Sequence, residues 1–289
     1  MTVAPPPRAA AGPGRPDNRD GLNNTGQPRM GFFTDTSICI GCKACEVACK
    51  EWNQIPEDGL DFLAMSYDNT LELGASTWRH VAFIERPAPI SEQPVNSFSW
   101  LMLSDVCKHC HSAGCLENCP TGAIVRTEID SVYVQPDICN GCGYCVVGCP
   151  FGVIDRDPHD GRAWKCTFCY DRQKDHMEPA CAKACPTDSI LFGDVAELRI
   201  KAEARVAQLH ERGVNEAYLY GADAASQPGT EGLNAFFLLV DRPEVYNLPP
   251  DPVAPAKRVA ASWKSMALAS LGLLAAALGA VASARGGKA

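Results

Sequence analysis

"CNGCGYCVVGCP", residues 139–150, sets Cys139, Cys142, Cys145 and Cys149 three, three and four positions apart and follows the last with Pro150. The device recurs along the chain. "CIGCKACEVACK" (39–50) keeps the spacing with Cys39, Cys42, Cys45 and Cys49, but has Lys50 in place of the proline. "CKHCHSAGCLENCP" (107–120) carries Cys107, Cys110, Cys115 and Cys119, with four residues between the second and third. "CTFCYDRQKDHMEPACAKACP" (166–186) carries Cys166, Cys169, Cys181 and Cys185, with eleven residues between the second and third. These groups account for all 16 cysteines of the 289-residue chain.

Three chemistries use cysteines at such density. A disulfide framework belongs to short secreted chains, and cysteines separated by two residues are strained partners for one another. Structural zinc usually joins one C-x2-C pair to a second a dozen or more residues away. Here three of the groups close within 13 residues. The run C-x2-C-x2-C-x3-C-P is the bacterial iron–sulfur pattern, and residues 139–150 match it letter for letter. A zinc-stabilised, membrane-anchored scaffold without redox chemistry is the competing reading from a different class. Composition is that of an ordinary globular protein, 46% hydrophobic and 21% charged. Acidic residues outnumber basic ones by 34 to 26 with no Lys/Arg-rich run, so nucleic acid is not an expected partner.

A [4Fe–4S] cluster takes four thiolates. A loop with cysteines at i, i+3 and i+6 supplies three of them. Small residues between, such as Gly41, Ala44, Gly141 and Gly143, let backbone N–H groups approach the sulfides. In two-cluster ferredoxins the fourth cysteine ligates the other cluster, so the motifs work in pairs. Four motifs imply two ferredoxin-like pseudo-repeats and four clusters in an α+β fold. An internal repeat supports this: "CPTGAIV" (119–125), "CPFGVID" (149–155) and "CPTDSIL" (185–191) share a Cys-Pro-x-[Gly/Asp]-x-Ile pattern. Pro120, Pro150 and Pro186 end each turn, Gly122, Gly152 and Asp188 suit its backbone, and Ile124, Ile154 and Ile190 are expected to open short strands.

Along the chain, residues 1–28 read as a disordered tail. It contains no apolar run of a secretory signal, and Arg8, Arg15 and Arg19 are never adjacent, so no twin-arginine signal is expected. Residues 29–193 form the four-cluster domain, with an insertion at 50–106 whose stretches 79–85 and 97–104 alternate as strands; a further strand is expected at 130–136. Residues 194–246 form a cap. Within it, a helix over 194–212 has Asp194 as N-cap, Glu197 completing a capping box and Gly213 as its stop. Its apolar face is Val195, Leu198, Ala202, Val206 and Leu209, and residues 234–241 are a buried strand. Residues 247–261 read as a stiff Pro-rich linker. Residues 262–285 read as a transmembrane helix: Ser265–Ala284 is uncharged, and 20 such residues reach about 30 Å, one bilayer core. Gly272, Ala276, Ala280 and Ala284 form a small-residue face, and Trp263 and Lys264 suit the interface. Lys257, Arg258 and Lys264 before the span and Arg285 and Lys288 after it leave its orientation open.

The four-motif arrangement resembles the iron–sulfur subunits of molybdopterin oxidoreductases. Within them the chain is similar to the beta subunit of membrane-bound formate dehydrogenase, over roughly residues 33–284. The resemblance rests on "CIGCKACEVACKEWN", "YDN" (67–69), "GCLENCPTGAI", "CNGCGYCVVGCPFGVI", "KCTFCYDR", "EPACAKACPTDSI" with "FG" (192–193), and "SWK" (262–264). It implies nested units, motif one pairing with four and two with three. One cluster would then take Cys39, Cys42, Cys45 and Cys185; a second Cys166, Cys169, Cys181 and Cys49; a third Cys107, Cys110, Cys115 and Cys149; and a fourth Cys139, Cys142, Cys145 and Cys119. It further implies electrons arriving from a catalytic molybdopterin subunit that oxidises formate at molybdenum or tungsten. They would leave to an integral membrane subunit, of cytochrome b or quinone-binding type, in the inner membrane. Family precedent faces the soluble domain outward, carried by a signal-bearing partner; a cytoplasmic face fits the sequence equally. The alternative is the same relay in a sulfoxide or polysulfide reductase or a hydrogenase complex. No nucleophile–base motif or phosphate-binding glycine loop is present, so the chain is expected to catalyse nothing itself. Lys43, Lys108, His109 and Lys165 flank cysteines, as tuners of potential or as solvated or partner-facing side chains.

Overall fold

The computed structural model describes residues 26–59, 62–64, 67–85 and 100–286. The expected tail lies, up to residue 25, outside the described residues, as do residues 97–99 and 287–289. In chain order the elements are β1 (Met30–Asp35), α1 (Ala44–Asn53), β2 (Arg79–Glu85), β3 (Trp100–Val106), α2 (Gly114–Glu117), β4 (Ile124–Arg126), β5 (Val132–Val134) and α3 (Tyr144–Gly148). Then follow β6 (Asp155–Arg156), β7 (Ala163–Trp164), α4 (Tyr170–Lys174), α5 (Ala180–Lys183), β8 (Ile190–Asp194), α6 (Val195–Glu211), β9 (Tyr218–Tyr220), β10 (Ala235–Leu239), a 3₁₀ turn at Pro243–Tyr246 and α7 (Pro255–Gly286). Helices and strands mix throughout, an α+β fold.

Strands and cysteine motifs alternate. β2 pairs antiparallel with β3, β4 with β5, and β6 with β7, so a hairpin joins each motif to the next. β1 leads into motif one and pairs antiparallel with β8, which leaves motif four. The first and last motifs thereby share a sheet although about 150 residues separate them. That sheet has the order β8-β1-β10-β9, with β10 parallel to β1. β10 is buried along its whole length, as the unbroken apolar run "AFFLL" requires. Gly31 sits where β1 meets β10: a Cβ there would come 2.1 Å from the carbonyl oxygen of Asn234 and 2.7 Å from Val195.

α6 covers this sheet. Asp194 caps it, its carboxylate accepting the N–H groups of Ala196 and Glu197, and Gly213 follows its end at φ 86°. Val195, Leu198, Ala202 and Leu209 are buried and Val206 packs against them. Gly122, Gly152 and Asp188 all adopt left-handed φ, at 67°, 64° and 52°, as the repeated turn requires.

Four expectations need correction. Ile154 is buried but stops one residue short of β6, whose two residues are exposed. Within the described residues the stretch expected as a strand at 97–104 is β3, which runs on to Val106 because its register with β2 continues to Val106 opposite Arg79. The expected strand at 130–136 shortens to the three residues of β5, matching its short partner β4. The segment read as a stiff linker over 247–261 ends at residue 254 and is packed on the body. Leu248 and Ala254 are buried, Tyr220 donates to the carbonyl of Pro249, and α7 starts at Pro255, where proline at a first turn loses no helical hydrogen bond.

Replacing Gly31 by alanine is expected to destabilise the fold by about 3 kcal/mol, the upper end for overpacking against backbone. Gly193→Ala, whose Cβ would find only Leu198 at 3.9 Å, is the control. Anaerobic thermal unfolding of the two variants checks the contrast.

Candidate metal centres

Each motif places its cysteines by the same local device. A residue in the left-handed region turns the chain just before or between the thiols. These are Gly41 and Lys43 in motif one, His109 in motif two, Gly141 and Gly143 in motif three, and Phe168 and Cys169 in motif four. A short helix then carries the later ligand candidates inward: α1 bears Cys45 and Cys49, α2 Cys115, α3 Cys145 and α5 Cys181. All sixteen cysteines are free thiols.

Space regroups the motifs. Cys39, Cys42, Cys45 and Cys185 line one cavity. Cys49, Cys166, Cys169 and Cys181 line a second. Cys107, Cys110, Cys115 and Cys149 line a third, and Cys119, Cys139, Cys142 and Cys145 a fourth. Three cysteines of a motif thus meet the remaining cysteine of another. Among the described residues no three His, Cys, Asp or Glu side chains converge closely enough for a single metal ion. Thiolates 2.3 Å from one zinc ion lie only about 3.8 Å apart. Four thiols that line one cavity without meeting at single-ion distances fit a polynuclear group better.

The cavities stand in a row. The thiol of Cys181, in the second cavity, is near enough to raise the pKa of Cys45, in the first. Cys107 of the third acts likewise on Cys166 of the second, and Cys145 of the fourth on Cys115 of the third. Burial is the larger cause in each case. It pushes Cys45 and Cys115 up to about 12, and Cys145 and Cys169 to about 11. Cys119 is the opposite case: burial raises it, but hydrogen bonds from Thr121 and from the backbone N–H groups of Ile124 and Ala123 bring it below the usual thiol value.

Donors already point at several sulfurs. The N–H of Ala163 lies 3.4 Å from Cys139 Sγ and that of Phe168 3.4 Å from Cys166 Sγ. Thr121 and Thr187, two residues after Cys119 and Cys185, hold hydroxyls at 3.6 and 3.8 Å from those sulfurs. Of the residues expected to flank cysteines, Lys43 is partly exposed and pairs with Asp68 at 2.9 Å, and Asp68 also holds His80 at 2.9 Å. Lys108 and Lys165 are buried and line the third cavity. Lys108 pairs with Asp105 at 2.6 Å, while Lys165 donates to the carbonyls of Val132 and Cys166. His109 is buried and stacks on Phe168 with ring centres 3.6 Å apart; burial keeps it neutral, and its Nδ1 accepts the N–H of Val132.

Sequence reasoning passed over Arg79, Ser104 and Asn53. Asn53 Nδ2 stands 3.7 Å from Cys49 Sγ and 3.9 Å from Cys169 Sγ. Its place in "KEWN", one helical turn after Cys49, was the available signal. Arg79 and Ser104 lie on the hairpin inserted between motifs one and two; Arg79 has no cysteine near it in sequence, and Ser104, three residues before Cys107, is directed by the strand to Cys45 instead.

A family model for the 4Fe-4S dicluster domain matches residues 38–123, and a second model of that description matches residues 98–195. Over 222 residues the chain is 44% identical to a formate dehydrogenase iron–sulfur subunit of Haemophilus influenzae, covering 75% of this chain and 68% of that one. It is 42% identical over 222 residues to the nitrate-inducible formate dehydrogenase iron–sulfur subunit of Escherichia coli, covering 75% and 71%. It is 34% identical over 173 residues to a subunit of the anaerobic dimethyl sulfoxide reductase of Escherichia coli, covering 60% and 77%.

The regrouping has a spectroscopic consequence. Cys49→Ser is expected to remove or alter the same low-temperature EPR signal as Cys169→Ser, and Cys45→Ser the same signal as Cys185→Ser, each with a loss of about a quarter of the iron. If Cys49→Ser instead matched Cys45→Ser, grouping by sequence would prevail over grouping by space.

Proposed function

Because this chain belongs to the family of formate dehydrogenase iron–sulfur subunits, we propose that its four thiol-lined cavities each hold a [4Fe–4S] cluster and that the chain relays electrons between two partner subunits. The observation that carries this reading is the row of cavities, each ringed by four cysteines, with cysteines of successive cavities packed in shared buried clusters. When bound, such clusters take up and release single electrons without making or breaking bonds to substrate. The ligand sets we propose are those of the cavities: Cys39, Cys42, Cys45 and Cys185; Cys49, Cys166, Cys169 and Cys181; Cys107, Cys110, Cys115 and Cys149; Cys119, Cys139, Cys142 and Cys145. The two dicluster matches support four clusters and oppose the zinc scaffold.

The chain's own residues do three things here. Short helices and hairpins hold the thiols at fixed separations. Aromatic and aliphatic side chains around the second and third cavities, among them Phe32, Trp78, Phe168, Phe151 and Ile154, exclude water. Backbone and side-chain donors to Cys139, Cys166, Cys119 and Cys185 favour the charged sulfur.

The two ends of the row differ, which supports a direction. α7 is long and apolar enough to cross a membrane, and none of its apolar window is covered by the rest of the chain. Its first residue, Pro255, lies against Gly114 of α2, beside the third cavity and next to α3 of the fourth. We place the membrane partner at that end, a cytochrome b or quinone-binding subunit, with α7 as a single pass through the inner membrane. Exposed Tyr144 and Val147 on α3 suit a partner there. At the far end, beside the first cavity, Ile40 and Val47 are exposed and suit a catalytic subunit that oxidises formate at a molybdenum or tungsten pterin centre.

Formate added anaerobically to the natively purified complex is expected to produce reduced [4Fe–4S] EPR signals within turnover time. Signals with dithionite but not with formate would leave the clusters standing and assign the relay to another partner enzyme, such as a sulfoxide reductase, which would draw electrons from the row rather than supply them.

A further inference from the structure

Arg79 opens β2, in the segment inserted between motifs one and two, and is 1% exposed. Its Nη2 donates to Cys181 Sγ at 3.3 Å, in the second cavity. Its Nη1 donates to the carbonyl of Ser104 at 3.1 Å and to the Ser104 hydroxyl at 3.3 Å. That hydroxyl lies 3.2 Å from Cys45 Sγ, in the first cavity. The guanidinium stands 4.8 Å from the centre of the Phe32 ring, and its Nε has no hydrogen-bond partner. Among the described residues, no carboxylate pairs with it.

A guanidinium does not deprotonate in a protein, and an uncompensated buried charge is prohibitively costly. The anionic groups near Arg79 are the sulfurs of two cavities, Cys181 and Cys166 on one side and Cys45 on the other. The other buried cations differ. Lys108 is neutralised by Asp105, and Lys165 faces the third cavity, where it acts on Cys115. Arg156 and Arg162, near the fourth cavity, are exposed or nearly so.

We propose that Arg79 is the shared countercharge of the first and second cavities and that it raises the electron affinity of the clusters held there. This rests on reading those cavities as cluster sites. Each arriving electron adds one negative charge beside a fixed, unscreened cation, so the reduced state gains more than the oxidised state. Arg79 stays protonated while one electron arrives from the donor side and leaves toward the third cavity; no bond forms or breaks and no proton moves. It is a positioning residue acting through Cys181 directly and through Ser104 on Cys45, and its effect is confined to one half of the row.

The test is a redox titration of the purified complex followed by EPR, with iron counted per chain, in Arg79→Gln and Arg79→Lys. The signals of the first two clusters are assigned by Cys45→Ser and Cys169→Ser. In Arg79→Gln those two signals are expected to lose about tenfold in electron affinity, a fall of about 59 mV for a one-electron couple. The other two should hold. Arg79→Lys keeps the charge but, as a point charge without the fork, cannot serve both partners, so a smaller fall is expected in at least one of the same two signals. If Arg79→Gln fails to retain iron, Arg79→Lys decides by this selective fall. A loaded variant with all four potentials unchanged, or with all four moved together, overturns the role of Arg79 while leaving the cluster sites intact. Absence of [4Fe–4S] signals in the unmodified complex would instead overturn the cluster reading itself.

Discussion

Negative charge held inside the protein is the constraint on which the rest of this structure depends. Bringing four thiols to one buried cavity, four times over, works against their ionisation: burial is the largest of the causes that leave Cys45 and Cys115 up at about 12, and neighbouring thiols add to it. Metal binding needs the thiolate and so releases protons as it proceeds. The interior is organised around that demand. Of the three hydrophobic clusters among the described residues, one is an ordinary core between α6 and the sheet. The other two are built in large part of cysteines, with Cys45, Cys49, Cys107, Cys166 and Cys181 in one and Cys115 and Cys145 in the other.

The order of the cavities follows from how the chain is tied. Hairpins hand each motif to the next, and β1 with β8 brings the first and last motifs back together. The fourth cysteine of every motif falls past the turn that sets the first three, so it points into the neighbouring cavity. Two crossings at each pair of motifs give a row instead of isolated sites. The long apolar helix α7 leaves from beside one end of that row, through the packed contact of Pro255 with α2. The segment before it is docked on the body by Leu248 and Ala254, which fixes where the helix departs.

Much of this was legible in the sequence, and the reasons are local. A cysteine spacing is read within a dozen residues. So are the N-cap at Asp194 and the left-handed turn at Gly122, Gly152 and Asp188, because turn and cap chemistry act over a few positions. The regrouping of cysteines across motifs came from resemblance, since spacing cannot say which fourth thiol joins which three. The parallel pairing of β1 with β10 was not legible, because it joins strands about 200 residues apart and leaves only an apolar run and Gly31 as traces. Arg79 was invisible for the same reason. An arginine in an alternating stretch reads as the solvent-facing member of a strand; only the folded hairpin shows that it faces sulfur. Ile154 marks the opposite limit, an apolar residue expected to open a strand that begins one position later.

The most direct measurement is the iron, zinc and acid-labile sulfide content of the intact chain in its native complex, determined anaerobically. Four cubes require about sixteen iron atoms and about as many sulfides per chain, with no zinc. About four metal ions per chain without sulfide would mean that each cavity closes on a single ion, and the relay would have no carriers.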